Sequence, residues 1–88
     1  MAKTYIFHTD PGHGWLAVKR AEIVSMGLLE VISPYSYQKG NTVYLEEDND
    51  MATFLDAYKG LHGVPPLYRY GAKCDARHPI RGYEHFTE

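Results

Sequence analysis

The sequence predicts a small α+β domain in which one longer helix packs on an antiparallel sheet of about four to five strands. Short runs of aromatic and β-branched residues alternate with glycine- and proline-rich turn signals. One segment, residues 50–58, carries apolar residues at helical spacing. The 88 residues are enough for a single domain, 1–88, with one thin core.

Two strands joined by a tight loop open the chain. Residues 3–9 are rich in strand formers, and residues 15–18 follow a turn at Asp10-Pro11-Gly12, where proline presets φ and glycine permits positive φ. Because the loop is short, the two strands should form an antiparallel hairpin.

A short helix is expected over residues 20–26, with Ile23 and Val24 facing inward and Gly27 at its end. Residues 28–32, which are apolar apart from Glu30, fit either another helical turn or a buried strand.

The clearest hairpin joins residues 35–38 to residues 42–46. If Gly40 and Asn41 are the central turn residues, one face carries two cross-strand pairs: Tyr37 with Tyr44, and Tyr35 with Glu46. A longer loop would shift this register.

The best helix follows, with one apolar stripe formed by Met51, Phe54, Leu55 and Tyr58. Asp48, Asn49 or Asp50 is expected to cap it, and Gly60 or Gly63 to end it. Residues 67–70 then predict an edge strand, and the polar tail from about residue 71 is expected to be irregular.

Composition narrows the function classes. A net charge of −2 supplies no basic field for direct nucleic-acid binding. No apolar run is long enough for a membrane span, no signal peptide is recognisable, and the lone Cys74 allows no intrachain disulfide. We therefore expect a soluble, cytoplasmic protein with no membrane partner. The standard enzyme and cofactor signatures are absent, which favours a non-enzyme without cofactor.

The segment from His8 to Trp15 holds several side chains suited to binding or catalysis, close together in sequence. A non-catalytic binding loop using Asp10, His13 and Trp15 is the favoured interpretation. A metal site is a weaker one, because His8, Asp10 and His13 would have to converge with a further ligand. A second weaker interpretation is a histidine–aspartate pair that acts in acid–base catalysis. The alternative without any function is a plain turn, with Trp15 in the core.

Three further groups of side chains are candidates. Among the eight tyrosines, Tyr35, Tyr37 and Tyr44 on the second hairpin are predicted binding residues, against the alternative that they are half-buried sheet residues. The acidic residues from Glu46 to Asp50 fit helix capping better than a Ca²⁺ or Mg²⁺ site, and also fit an anionic surface for a basic partner. Arg69 and Arg81 are predicted to hold an anionic group such as a phosphate, unless the tail is simply solvated.

Three stretches together resemble a group of short uncharacterised proteins of phages, prophages and other bacterial mobile elements: DPGHGW at 10–15, YSYQKG at 35–40 and YLEEDND at 44–50. The resemblance brings no catalytic residue with it. It implies a setting in which small phage accessory proteins act by binding, often to block a host enzyme or defence complex.

The expected function is therefore non-catalytic binding of a host protein or complex, in the manner of an inhibitor of a bacterial defence system. Two alternatives stay open: sequestration of a nucleotide-like small molecule by tyrosines and arginines, and a small metal-dependent or acid–base enzyme using His8, Asp10 and His13.

Overall fold

The computed structural model describes residues 3–72 and 74–88. Within them, the chain forms two helices, a 3-10 turn and a six-stranded sheet. In order, the elements are β1 (Thr4–Thr9), β2 (Gly14–Lys19), α1 (Arg20–Ser25), β3 (Tyr37–Lys39), β4 (Thr42–Glu46), α2 (Asp50–His62), β5 (Leu67–Tyr70), the 3-10 turn (Pro79–Gly82) and β6 (Glu84–His85). No helix in these residues is both long and apolar enough to cross a membrane.

The sheet has the strand order β5-β1-β2-β4-β3-β6 and is mixed. The α+β class is confirmed, but the expected antiparallel sheet of four to five strands is wrong in two respects. β5 pairs with β1 in the parallel direction, because the chain crosses back through α2 before β5 begins. β6 adds a sixth strand against β3 and is only two residues long, too short to leave a sequence pattern.

Both predicted hairpins form. β1 and β2 are antiparallel, with His8 opposite Trp15. In the second hairpin Gly40 has φ of 58°, and Tyr37 lies opposite Tyr44 as predicted. The predicted pair of Tyr35 with Glu46 does not form, because β3 begins only at Tyr37. Glu46 instead lies opposite Trp15 on β2.

One face of the sheet packs on the helices. Alternate strand residues supply this core, and α2 supplies the predicted stripe, in which Phe54 is fully buried and Leu55 partly so. Ile23 is buried as expected, but Val24 is 52% exposed because a six-residue helix has only one side turned inward. Residues 28–32 form turns, with the Ile32 N–H donating to the Leu28 carbonyl.

Asn49, one of the three expected residues, occupies the N-cap position of α2, but without a capping hydrogen bond from its side chain. Neither Asp48, Asn49 nor Asp50 caps α2 by its side chain; the carboxylate of Glu46 accepts hydrogen bonds from all three backbone N–H groups. Asp50 lies inside the helix, and its buried carboxylate accepts from the hydroxyls of Ser33 and Ser36. Gly63, with φ of 80°, ends the helix as predicted.

The opposite face of the sheet is covered by the tail. Leu16 and Val18 point to the helices, so Trp15 points to this second face. Here the 3-10 turn buries Ile80, and Tyr83 packs on Tyr44 with ring centroids 5.3 Å apart. Apart from the 3-10 turn and β6, the described part of the tail is irregular, as expected, yet one of its aliphatic side chains is fully enclosed.

Candidate binding pocket

A pocket of about 370 Å³ opens at the end of the second face where β2 and β4 meet. Four separate stretches of chain contribute to it: the β1–β2 loop with the start of β2, the segment leading into β3, the β4–α2 connection, and the tail. Its lining residues are His13, Trp15, Tyr35, Tyr37, Glu46, Asp48, Asn49 and Arg81. Five of the eight predicted binding residues therefore meet at one place, the remaining three being Asp10, Tyr44 and Arg69.

Asp10 fastens the tail to the β1–β2 loop. Its carboxylate accepts from the backbone N–H groups of Gly12, His13 and His78. The guanidinium of Arg81 adds two more hydrogen bonds, from Nε at 2.6 Å and from Nη2 at 2.9 Å. With its side chain only 2% exposed, Asp10 is a structural residue. Arg81 and the His78 N–H hold the pKa of Asp10 well below its usual range, so the carboxylate stays ionised.

Trp15 forms the floor of the pocket and is 1% exposed. Its ring lies 5.5 Å from that of His13 and 6.3 Å from that of Tyr37, and the Arg81 guanidinium lies 5.3 Å from it. Trp15 is therefore a buried residue of the pocket and not an exposed one. Its buried indole N–H has no acceptor among the described residues. Leaving a buried donor without an acceptor costs about 1–3 kcal/mol.

One wall of the pocket is acidic. The His13 imidazole lies 3.8 Å from a carboxylate oxygen of Glu46, 3.7 Å from one of Glu47 and 4.0 Å from one of Asp48. Burial alone would raise the pKa of Glu46, but the three backbone N–H groups that it accepts from, together with His13, lower it below its usual value. Glu46 is therefore an ionised, nearly buried carboxylate beside an imidazole.

The other wall is aromatic. Tyr35 stands at the rim with 77% of its surface exposed. Tyr37 lies deeper and stacks on His85, with ring centroids 4.8 Å apart. Tyr44 shares the sheet face but lies outside the pocket, against His8 and Tyr83, and burial raises the pKa of its hydroxyl.

The structure does not bring His8, Asp10 and His13 together. The His8 ring packs on that of His78 at 5.4 Å, and burial followed by the neighbouring His78 lowers its pKa. The Asp10 carboxylate instead forms an ion pair with the Arg81 guanidinium. Within residues 3–72 and 74–88, the group of potential metal ligands whose atoms lie within 4.8 Å of one another is His13, Glu46 and Asp48.

The two predicted arginines are also separated. Arg69 lies on the edge strand β5 opposite Ile6, whereas Arg81 lines the pocket with its charge paired to Asp10. A joint phosphate-holding role for these two side chains therefore has no geometric basis.

The sequence favoured a role at the start of α2 for the acidic residues from Glu46 to Asp50 and left an anionic surface for a basic partner as an alternative. It did not place Glu46, Asp48 and Asn49 in one pocket with Trp15, because that arrangement arises from the long-range pairing of Trp15 with Glu46. Comparisons of the chain with protein-family models, curated proteins and solved structures found no match.

Proposed function

We propose that the protein is a non-catalytic binding protein whose working surface is this pocket and its rim, and that its partner is another protein. One observation carries the proposal. Residues from four stretches far apart in sequence converge on a concave site that combines aromatic rings, carboxylates and an unsatisfied buried donor. Such concave sites with a few convergent polar groups are typical of binding sites.

The chemistry of the rim favours a basic partner surface. Asp48 has a side chain that is 75% exposed, and that of Glu47 is 39% exposed, so both carboxylates are accessible from solvent. Tyr35 offers an exposed ring beside them. A lysine or arginine side chain of the partner gains both a carboxylate and an aromatic face here.

The resemblance to phage accessory proteins suggests where such a partner would be found. In that setting the partner is a host protein or complex in the bacterial cytoplasm, and binding inhibits a defence system. The support is the resemblance together with a rim suited to protein contact.

Sequestration of a nucleotide-like molecule has weaker support. It relied on free arginines, but Arg81 is paired with Asp10 and Arg69 lies elsewhere. The enzyme alternative relied on His8, Asp10 and His13 acting together, and these side chains engage different neighbours.

The test uses two exposed tyrosines as a matched pair. Tyr35 lies on the rim, and Tyr70 is 67% exposed on β5, outside the pocket lining. The tagged protein is isolated from its host, and its complexes are identified by native and denaturing mass spectrometry. The affinity for the protein found is then measured for each variant.

Tyr35→Ala should weaken binding at least tenfold, about 1.4 kcal/mol, whereas Tyr70→Ala should bind like the parent. Binding should also weaken as salt is raised, because the rim charges are exposed. Full affinity in Tyr35→Ala with loss in Tyr70→Ala would move the binding surface to β5. A bound small molecule and no protein would favour sequestration.

A further inference from the structure

The acidic wall has an unusual spacing around His13. Three carboxylate oxygens approach the imidazole nitrogens, yet all stay between 3.7 and 4.0 Å away. A closed ion pair between an imidazolium and a carboxylate draws together to about 2.7–2.9 Å. The oxygens of Glu46 and Asp48 face Nε2 of His13, whereas that of Glu47 faces Nδ1. Glu46 and Asp48 thus lie beside Nε2 without closing onto it, as the ligands of an ion would.

Three of these groups have the chemistry and positions of a metal-binding set. His13, Glu46 and Asp48 each offer one ligand atom, and these atoms lie within 4.8 Å of one another. Ligands about 2.1 Å from a tetrahedral Zn²⁺ lie about 3.4 Å apart. The observed His13–Glu46 and His13–Asp48 separations are 3.8 and 4.0 Å, and the oxygens of Glu46 and Asp48 lie within 4.8 Å of each other, so the three atoms must draw together modestly to bind the ion.

The surroundings orient two of the three ligands. Glu46 is held by its hydrogen bonds from the backbone N–H groups at the start of α2, at 2.7 to 3.0 Å. His13 lies in the loop that Asp10 braces and packs its ring on Trp15. Asp48 is exposed and free to swing inward. Outer hydrogen bonds of this kind fix the orientation of metal ligands.

A second, independent observation is an unsatisfied donor on another residue of the same pocket. The indole N–H of Trp15 is buried without an acceptor, and Trp15 lines the pocket with all three candidate ligands. This donor cannot coordinate a metal, but it can donate to a water or anion that a metal holds. A three-ligand metal site keeps such a position for a non-protein ligand.

We infer that His13, Glu46 and Asp48 form a binding site for a first-row transition-metal ion of the Zn²⁺ type, with the Trp15 N–H donating to the remaining ligand of the ion. One imidazole and two carboxylates suit Zn²⁺ better than Mg²⁺, which prefers oxygen ligands and retains its water. The site shares the pocket of the proposed function but does not depend on a protein partner.

The experiment titrates Zn²⁺ into the purified, chelator-treated protein by calorimetry, with Mg²⁺ in parallel. The visible spectrum of added Co²⁺ reports the coordination geometry. The parent should bind one Zn²⁺ per chain, and His13→Gln and Asp48→Asn should each bind it at least tenfold more weakly. His62→Gln, which alters an exposed histidine at the end of α2, is the matched control and should bind like the parent.

Thermal unfolding of each metal-free variant separates loss of the site from loss of the fold. Absence of one-to-one Zn²⁺ binding by the folded parent, or equal binding by His13→Gln, overturns the inference. Tyr35→Ala distinguishes the two proposals: it should keep the Zn²⁺ site while losing the protein partner. Failure of the metal titration therefore does not contradict the proposed protein binding. Failure to find a protein partner likewise does not contradict the Zn²⁺ site.

Discussion

Replacing Ile80 with alanine tests whether the tail covers the second face of the sheet. Ile80 is 1% exposed, although it lies in a polar stretch and outside the core beneath the helices. Its burial places the 3-10 turn so that the neighbouring Arg81 reaches Asp10 and lines the pocket. The tail is therefore a structural part of the binding site.

The expected loss follows from complete burial. Ile→Ala at a closed site costs about 2–5 kcal/mol, from lost transfer free energy and the cavity left behind. An 88-residue domain has a total stability of roughly 4–13 kcal/mol, so the loss is a large share of it. With a urea dependence of roughly 1.5 kcal/mol per molar, a loss of 2 kcal/mol lowers the unfolding midpoint by about 1.3 M.

Trp15 provides a local probe for the same experiment, because it is the only tryptophan and lies under Arg81 and His78. Urea unfolding is followed in parallel by tryptophan fluorescence and far-ultraviolet circular dichroism. If Ile80→Ala releases the tail locally, the emission should shift to the red before the helices unfold. Val24→Ala, at a 52% exposed aliphatic residue, is the control and should change stability by less than about 0.5 kcal/mol.

A loose tail would give a different result. The Ile80→Ala variant would then lose less than about 1 kcal/mol, and the Trp15 emission of the parent would already resemble that of an exposed indole. Either finding would contradict the packing of the tail on the second face of the sheet, and with it the position of Arg81 in the pocket.

Three more predictions use the same unfolding assay. Phe54→Ala, at a fully buried position on α2, should cost about 3–5 kcal/mol; a loss below about 1 kcal/mol would contradict its place in the core. Gly14→Ala should destabilise by about 1–3 kcal/mol, because its Cβ would lie 2.4 Å from the Phe7 ring; an unchanged midpoint would show that the strands can separate there. Because the pKa of Asp10 is lowered in the folded protein, the ionised carboxylate stabilises the fold fully above its ordinary pKa of about 3.9, and this stabilisation is lost as the pH falls below that value. Between pH 6 and pH 3 the free energy of unfolding of the parent should therefore fall by more than that of Asp10→Asn. Equal decreases would contradict the ion pair of Asp10 with Arg81.

The local signals in the sequence were sufficient for most elements of the fold. The apolar stripe of α2 predicts a helix because its period is set within a few turns, and Gly63 ends it as predicted. The second hairpin follows from Gly40, which adopts the positive φ that a two-residue turn requires. Of the site, the sequence identified His13, Trp15, Tyr35, Tyr37 and Arg81 as candidates, but as members of three separate groups.

Only the tertiary structure decided how these groups combine. The parallel pairing of β5 with β1 and the packing of Ile80 depend on contacts between residues far apart in sequence, for which no local pattern exists. Asp10 was a candidate ligand by sequence, yet its long-range contact with Arg81 makes it structural. Glu46 was assigned to a helix start, yet its pairing with Trp15 places the same carboxylate in the pocket. Side-chain chemistry is set by residue type, but the availability of a side chain for binding is set by the neighbours that the fold brings to it.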